Sequence, residues 1–220
     1  MARPVVDPTL TLQPDGTDGI DARIQTYAPD ANYGTTYNVD VGEESGIANI
    51  ARALIEFNLS SLPAAAVISS ATFSLYAYAD WSTNARTFRV YRQKRTWVEL
   101  EATWNIYSTG NSWATAGGFG ADDCEQTDIG SRDFTATETL NEFKVFTLTP
   151  TTKAGLDLGN GWLVKADAES DDMYQFSSSD HATAAQRPKL VIIYTVPSDQ
   201  PMRHRIGRTT IMATPMRGPF

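Results

Sequence analysis

Between Ile68 and Asp80, Ala71, Phe73, Leu75 and Ala77 alternate with Thr72, Ser74, Tyr76 and Tyr78. Successive side chains on an extended strand point to opposite faces, so this stretch makes one apolar face and one polar face as a strand. As a helix it would scatter both kinds of residue around the axis. A strand with one apolar face has to bury that face against a second layer, which restricts the chain to folds built from packed β-structure.

Other stretches carry the same signal. Ala51, Ala53, Ile55 and Phe57 share a face, and further strands are expected at Thr87 to Lys94, Phe143 to Leu148, Trp162 to Ala166, Met173 to Ser177 and Lys189 to Val196. The run from Leu190 to Tyr194 reads as buried on both faces. Pro150 to Leu158, opened by Thr149 and closed by Gly159, is the one stretch with helix start and stop signals. Long loops are expected over residues 7–37 and 103–132, which are rich in Gly, Asp, Asn and Thr. The expectation is an all-β antiparallel β-sandwich, jelly-roll-like, with long loops, at most one or two short helices and an extended C-terminal arm.

At 220 residues one domain is sufficient, divided as an N-terminal arm (1–20), a sandwich body (21–196) and a basic C-terminal arm (197–220). The net charge of −8 excludes wrapping of nucleic acid, which needs a basic face. The charge is uneven. Arg203, Arg205, Arg208 and Arg217 give residues 201–220 a charge of +4, against −12 for the rest. No apolar run is long enough for a membrane helix. The amino terminus carries no secretory signal, so the chain is expected to stay in the producing cell or to leave it by lysis. Cys124 is the single cysteine, which excludes an intrachain disulfide.

Asp21 to Tyr27, Asn32-Tyr33-Gly34 and Val41-Gly42 resemble the opening of the DNRLRE domain, related to the disaggregatase-type and alginate-binding carbohydrate-binding modules. Phe57 to Pro63, Ile68 to Tyr76, Thr96-Trp97-Val98-Glu99 and Ala102-Thr103-Trp104-Asn105 continue the match. Trp113, Gly117-Gly118, Phe176-Ser177-Ser178 and Arg187 to Leu190 complete it. The resemblance implies a β-sandwich accessory module with no chemistry of its own.

Candidate site residues follow from side-chain chemistry. Trp81, Tyr107 and Trp113 lie in polar text where exposed rings stack on sugars, whereas Trp97 and Trp104 read as core. Arg86, Arg89 and Arg95, with Tyr91 on the face of Arg89 and Arg95, would offer an anionic polysaccharide two cations and a ring; the alternative is a charged, solvated edge strand. Asp15, Asp18 and Asp21 are weak calcium candidates, as is the Asp167, Glu169, Asp171 and Asp172 group, and no other cofactor is indicated. Asp180-His181, Cys124 and the Glu99/Glu101 pair lack the arrangement that catalysis requires.

The function expected is therefore structural and non-catalytic: a virion surface subunit, capsid-decorating or tail-associated, anchored by its arms on protein neighbours. Arg203, Arg205, Ile206, Arg208, Ile211, Met212, Arg217 and Phe220 would make the anchoring contacts. A stand-alone carbohydrate-binding module is the alternative, and a polysaccharide-active enzyme a remote one.

Overall fold

The alternating stretch becomes one strand of 14 residues, Val67–Asp80, whose inward residues Ala71, Phe73, Leu75 and Ala77 are buried. The computed structural model describes residues 7–197 apart from Thr83. In chain order the strands are β1 (Thr9–Leu12), β2 (Ile20–Gln25), β3 (Asn38–Glu44), β4 (Asn49–Glu56), β5 (Val67–Asp80), β6 (Arg86–Arg92), β7 (Ile106–Ser108) and β8 (Asn111–Ser112). They continue with β9 (Gly130–Phe134), β10 (Glu142–Leu148), β11 (Trp162–Ala166), β12 (Tyr174–Ser177) and β13 (Lys189–Thr195).

The sandwich and jelly-roll expectation is corrected. Antiparallel pairing runs β5-β10-β9-β6-β11-β4-β3-β12 and returns to β5 through β12, closing an eight-stranded barrel. Two strands make the closure possible by sharing an edge between two partners. β10 lies along residues 71–77 of β5, so β13, at 67–74, and β12, at 77–80, follow one another on the opposite edge. β2 covers residues 51–56 of β4, which leaves the other edge to β3 and β11 in succession. Closure removes the ends of the eight-stranded ring, and the sheet's unpaired edges are left to β1 and β2, which are attached outside it.

The barrel interior is packed with rings. Phe88 stacks on Phe134 at 4.4 Å between centroids, and Phe73 meets Trp162 at 5.3 Å and Phe146 at 5.4 Å. The indole N–H of Trp162 is satisfied by the Leu156 carbonyl at 2.8 Å. That carbonyl belongs to α1 (Lys153–Leu156), all that forms of the expected helix: Thr152 caps it by accepting from the Gly155 amide, and Asp157 is already extended.

Other expectations also change. β6 is interior, between β9 and β11, and not a solvated edge. β13 is half-buried, with Leu190 and Ile192 inward and Val191 and Ile193 only partly covered. Both expected long loops contain strands: β1 and β2 in the first, and β7, β8 and β9 in the second. Thr9–Leu12, within the stretch read as an arm, pairs with β13, and the Tyr194 amide donates to the Pro8 carbonyl at 3.1 Å. Among the described residues no helix is long and apolar enough to cross a membrane.

Phe73→Ala removes a ring that touches Phe57, Phe146 and Trp162. It should destabilise the barrel by about 3–5 kcal/mol. Val145→Thr, at an exposed position of β10, should shift stability by less than about 0.5 kcal/mol. Urea unfolding followed by tryptophan fluorescence checks both, and equal losses would contradict the described interior.

Candidate functional site

The cations of β6 are paired within the fold. Arg86 lies 3.3 Å from the buried Asp172, and Arg89 lies 3.4 Å from Asp128. Arg95 lies 3.3 Å from the buried Asp123, Lys94 lies 3.6 Å from Glu125, and Arg92 donates to the Ala154 carbonyl. Arg86, Arg89, Lys94 and Arg95 are therefore met by acids from the loops around them and Arg92 by a carbonyl, and the run presents no bare cationic stripe to a polyanion.

Residues 93–129 fold over the outer face of β2, β4, β6 and β11 as a lid with its own core. Ala22, Ile24, Leu54, Tyr91, Trp97, Ala102, Trp113, Cys124 and Leu163 form this second cluster. Trp97 Nε1 donates to the Asn160 carbonyl and Trp113 Nε1 to the Thr103 carbonyl, both at 2.9 Å. The lid is pinned by Arg52 of β4. Its guanidinium grips both oxygens of Glu169 at 2.7 and 2.9 Å, donates to the Gly117 carbonyl at 2.7 Å and lies against the Trp104 ring. Gly117 has a φ of +84°, and a Cβ there would lie 2.7 Å from that ring. From the other side Asn32 donates to the carbonyls of Glu99 and Ala102 at 2.7 and 2.9 Å. A Cβ on Gly34 would meet the Glu99 carbonyl at 2.3 Å.

The lid separates the sugar-contact candidates. Tyr91 and Trp113 are corrected: both rings are buried in the lid core, Tyr91 edge-on to Phe119, and neither can stack on a ligand. Tyr107 is half-buried against Trp113 at 5.4 Å and lies under the Arg95 guanidinium. Trp81 is exposed, away from the lid, at the far end of β5. The arm residues from Arg203 to Phe220 lie outside the described residues.

Trp81 borders a cleft of about 300 Å³ between β2, β3 and β12. On the floor Arg23 is paired with Asp40 and lies over the Tyr33 ring at 4.4 Å. Asn38 donates to the other Asp40 oxygen at 2.8 Å. Beside Asp40 the Tyr78 hydroxyl is buried, with no partner among the described residues, and burial followed by the charge of Asp40 raises its pKa. Gln25, Asn49 and Gln175 contribute carboxamides to the lining, Glu44 a carboxylate, and Tyr27 and Ile47 exposed apolar surface. The sequence reading missed Arg23 and Gln25, although their alternation with Ala22 and Ile24 is itself a period-two signal, masked by the glycines and aspartates before it.

The acidic candidates are dispersed. Asp15 caps its own turn by accepting from the amides of Thr17 and Asp18, which hold its carboxyl below the usual range. Asp18 is exposed, and Asp21 is buried where β2 meets the segment after β12. Glu169 serves Arg52, while Asp172 serves Arg86 and the Glu43 amide. Among the described residues no group of three or more His, Cys, Asp or Glu side chains is placed to hold a metal ion.

Of the groups considered for catalysis, Cys124, Glu99, Glu101 and His181 have structural partners, Cys124 Sγ donating to the Arg92 carbonyl at 3.4 Å. Burial pushes the Cys124 thiol up to about 12. Glu99 and Glu101 accept from the amides of Asp21 and Thr109. His181 Nδ1 accepts from the Thr183 amide.

A family model described as the disaggregatase related repeat domain matches residues 21–192. The match begins at β2 and ends within β13, so it takes in the whole closed barrel and the lid. No curated protein matches the chain.

Asp21 yields a pH prediction. Burial pushes its carboxyl up to about 7, against the lowering effect of the Ser179 amide that donates to it at 2.7 Å, and the nearby Glu99 and Asp180 carboxylates add to the rise. A folded-state pKa above the unfolded value of 3.8 means that the stability it contributes is complete below about pH 4 and is lost as pH rises towards 7. Asp21→Asn should therefore match the parent chain in acid and exceed it in stability above neutrality. Parallel stability curves from urea titrations at pH 4 to 8 would refute this assignment.

Proposed function

The chain belongs to the disaggregatase-related repeat family, and from that premise and the layout of the barrel we propose that it is a non-catalytic surface-binding module. The observation that carries the reading is the polarity of β5. Thr195 pairs with Val67 at one end of this strand, and Pro8 lies beside Tyr194 there, so the first and last described stretches of the chain meet at one pole. Trp81 and the cleft follow Asp80 at the other end. Thirteen steps at about 3.3 Å each put roughly 40 Å between the two poles. Such a barrel holds on at one end and presents a recognition surface at the other.

The finer reading is a subunit on the surface of a larger assembly, a virion above all, fixed by its terminal segments. The charges of +4 on residues 201–220 and −12 on the rest support it, because a basic tail complements the acidic body of a neighbouring copy.

Truncation after Pro197 should leave the melting temperature unchanged and abolish sedimentation of the chain with its oligomer or particle. Sedimentation that survives truncation would remove the tail from the mechanism. Incubation of the full chain with polysaccharides should release no reducing ends, and a release that scales with protein concentration would overturn the non-catalytic reading.

A further inference from the structure

We infer that the cleft bordered by Trp81 binds an uncharged glycan, and that the basic strand β6 binds none. This rests on the surface-binding reading and specifies its ligand. An exposed indole is costly to keep in water, and its negatively polarised face attracts the C–H groups that line one side of a pyranose ring. Trp81 and Tyr27 present such rings at the cleft, and both are exposed. Behind them the lining is amide-rich. Gln25 and Asn49 are held within the fold, Gln25 donating to Tyr33 Oη at 2.8 Å and accepting from Asn49, which in turn accepts from the Tyr27 amide at 3.1 Å; Gln175 carries no side-chain hydrogen bond among the described residues. The carboxamide of Gln175 thus offers a donor and an acceptor side by side, which suits the vicinal hydroxyls of a sugar.

Charge selects the class. Arg23, the cation of the lining, is bound to Asp40, and Glu44 has no ion pair among the described residues, so the cleft is neutral to acidic. A uronate or sulfated chain would meet repulsion there, and the cations that could attract it on and after β6, Arg86, Arg89 and Arg95, are held by Asp172, Asp128 and Asp123. At about 300 Å³ the cleft is at the small end of ligand sites, with room for roughly one or two sugar rings.

Affinity electrophoresis of the full chain tests this in gels containing xylan, galactomannan, hydroxyethylcellulose, polygalacturonate or alginate. The expected result is retardation in at least one neutral gel. Trp81→Ala should weaken it about tenfold or more, Gln175→Ala should weaken it less, and Arg89→Ala should leave it unchanged. Both cleft variants alter partly or fully exposed side chains, and unchanged melting temperatures exclude misfolding. Retardation confined to the uronate gels, removed by Arg89→Ala and kept by Trp81→Ala, would overturn the inference and leave the surface-binding module standing. Neutral retardation insensitive to Trp81→Ala would overturn the site, and no retardation in any gel would overturn the ligand class. Release of reducing ends in the incubation above would instead overturn the module reading itself.

Discussion

The structure depends on one strand being long enough to serve two neighbours on a single edge. Val67–Asp80 takes β13 along its first half and β12 along its last residues, while β10 lies along the other edge. A strand half as long would pair with one or the other, and the ring through β12 and β3 would stay open. Closure converts the aromatic face of each strand into a common interior, where Phe57, Phe73, Phe88, Phe134, Phe146 and Trp162 contact one another in a chain. It also sets the long axis along which Pro8 and Thr195 are separated from the cleft.

Closure leaves a polar and partly charged outer face, and the chain treats its two sides differently. Over β4, β6 and β11 lies the lid, whose Asp128 meets Arg89 of β6 and whose Asp123 meets its own Arg95. Asp123 is fully buried, and besides pairing with Arg95 it accepts from the amides of Ala114 and Thr115 at 2.8 Å each. Such pairs contribute little net attraction once desolvation is counted, but removing one partner strands a buried charge. Their effect is to hold the lid's own fold together. Among the described residues the lid does not extend over β3 and β12, and the side chains of Gln175 and Glu44 remain partly open. That side is therefore where a ligand of the proposed module would find polar groups, Gln175 and Glu44 above all, that the fold has not already used.

Which parts were legible in the sequence follows from how local their causes are. β5 and β11 were readable because alternation is a property of consecutive residues, and their observed limits lie within one residue of the expected ones. β3 was unreadable for the opposite reason. Its outward Asn38 and Asp40 look like loop residues until Arg23, far away in the chain, completes their hydrogen bonding. Sandwich and barrel produce the same alternation and differ only in whether β12 meets β5, a contact made across almost 100 residues. The same distance effect governs the aromatic residues. Trp81 and Trp113 have similarly polar neighbours in sequence, and only the folding of the lid buries the second.

The residues that carry the family resemblance serve the frame. Asn32 and Gly34 clamp the turn at residues 99–102, Trp97 and Trp113 fill the lid core, and Gly117 admits the Trp104 ring beside Arg52. Each would be required of any sequence that builds this lidded barrel, whatever the barrel binds. Trp81, Gln175 and Glu44 have no such duty: the barrel interior and the lid would close equally well with other residues there. Family membership thus fixes the scaffold and is silent on the ligand. On the proposed reading, ligand choice falls to a few uncommitted side chains at the Asp80 end of β5, and these residues separate a sugar-binding reading from a purely structural one.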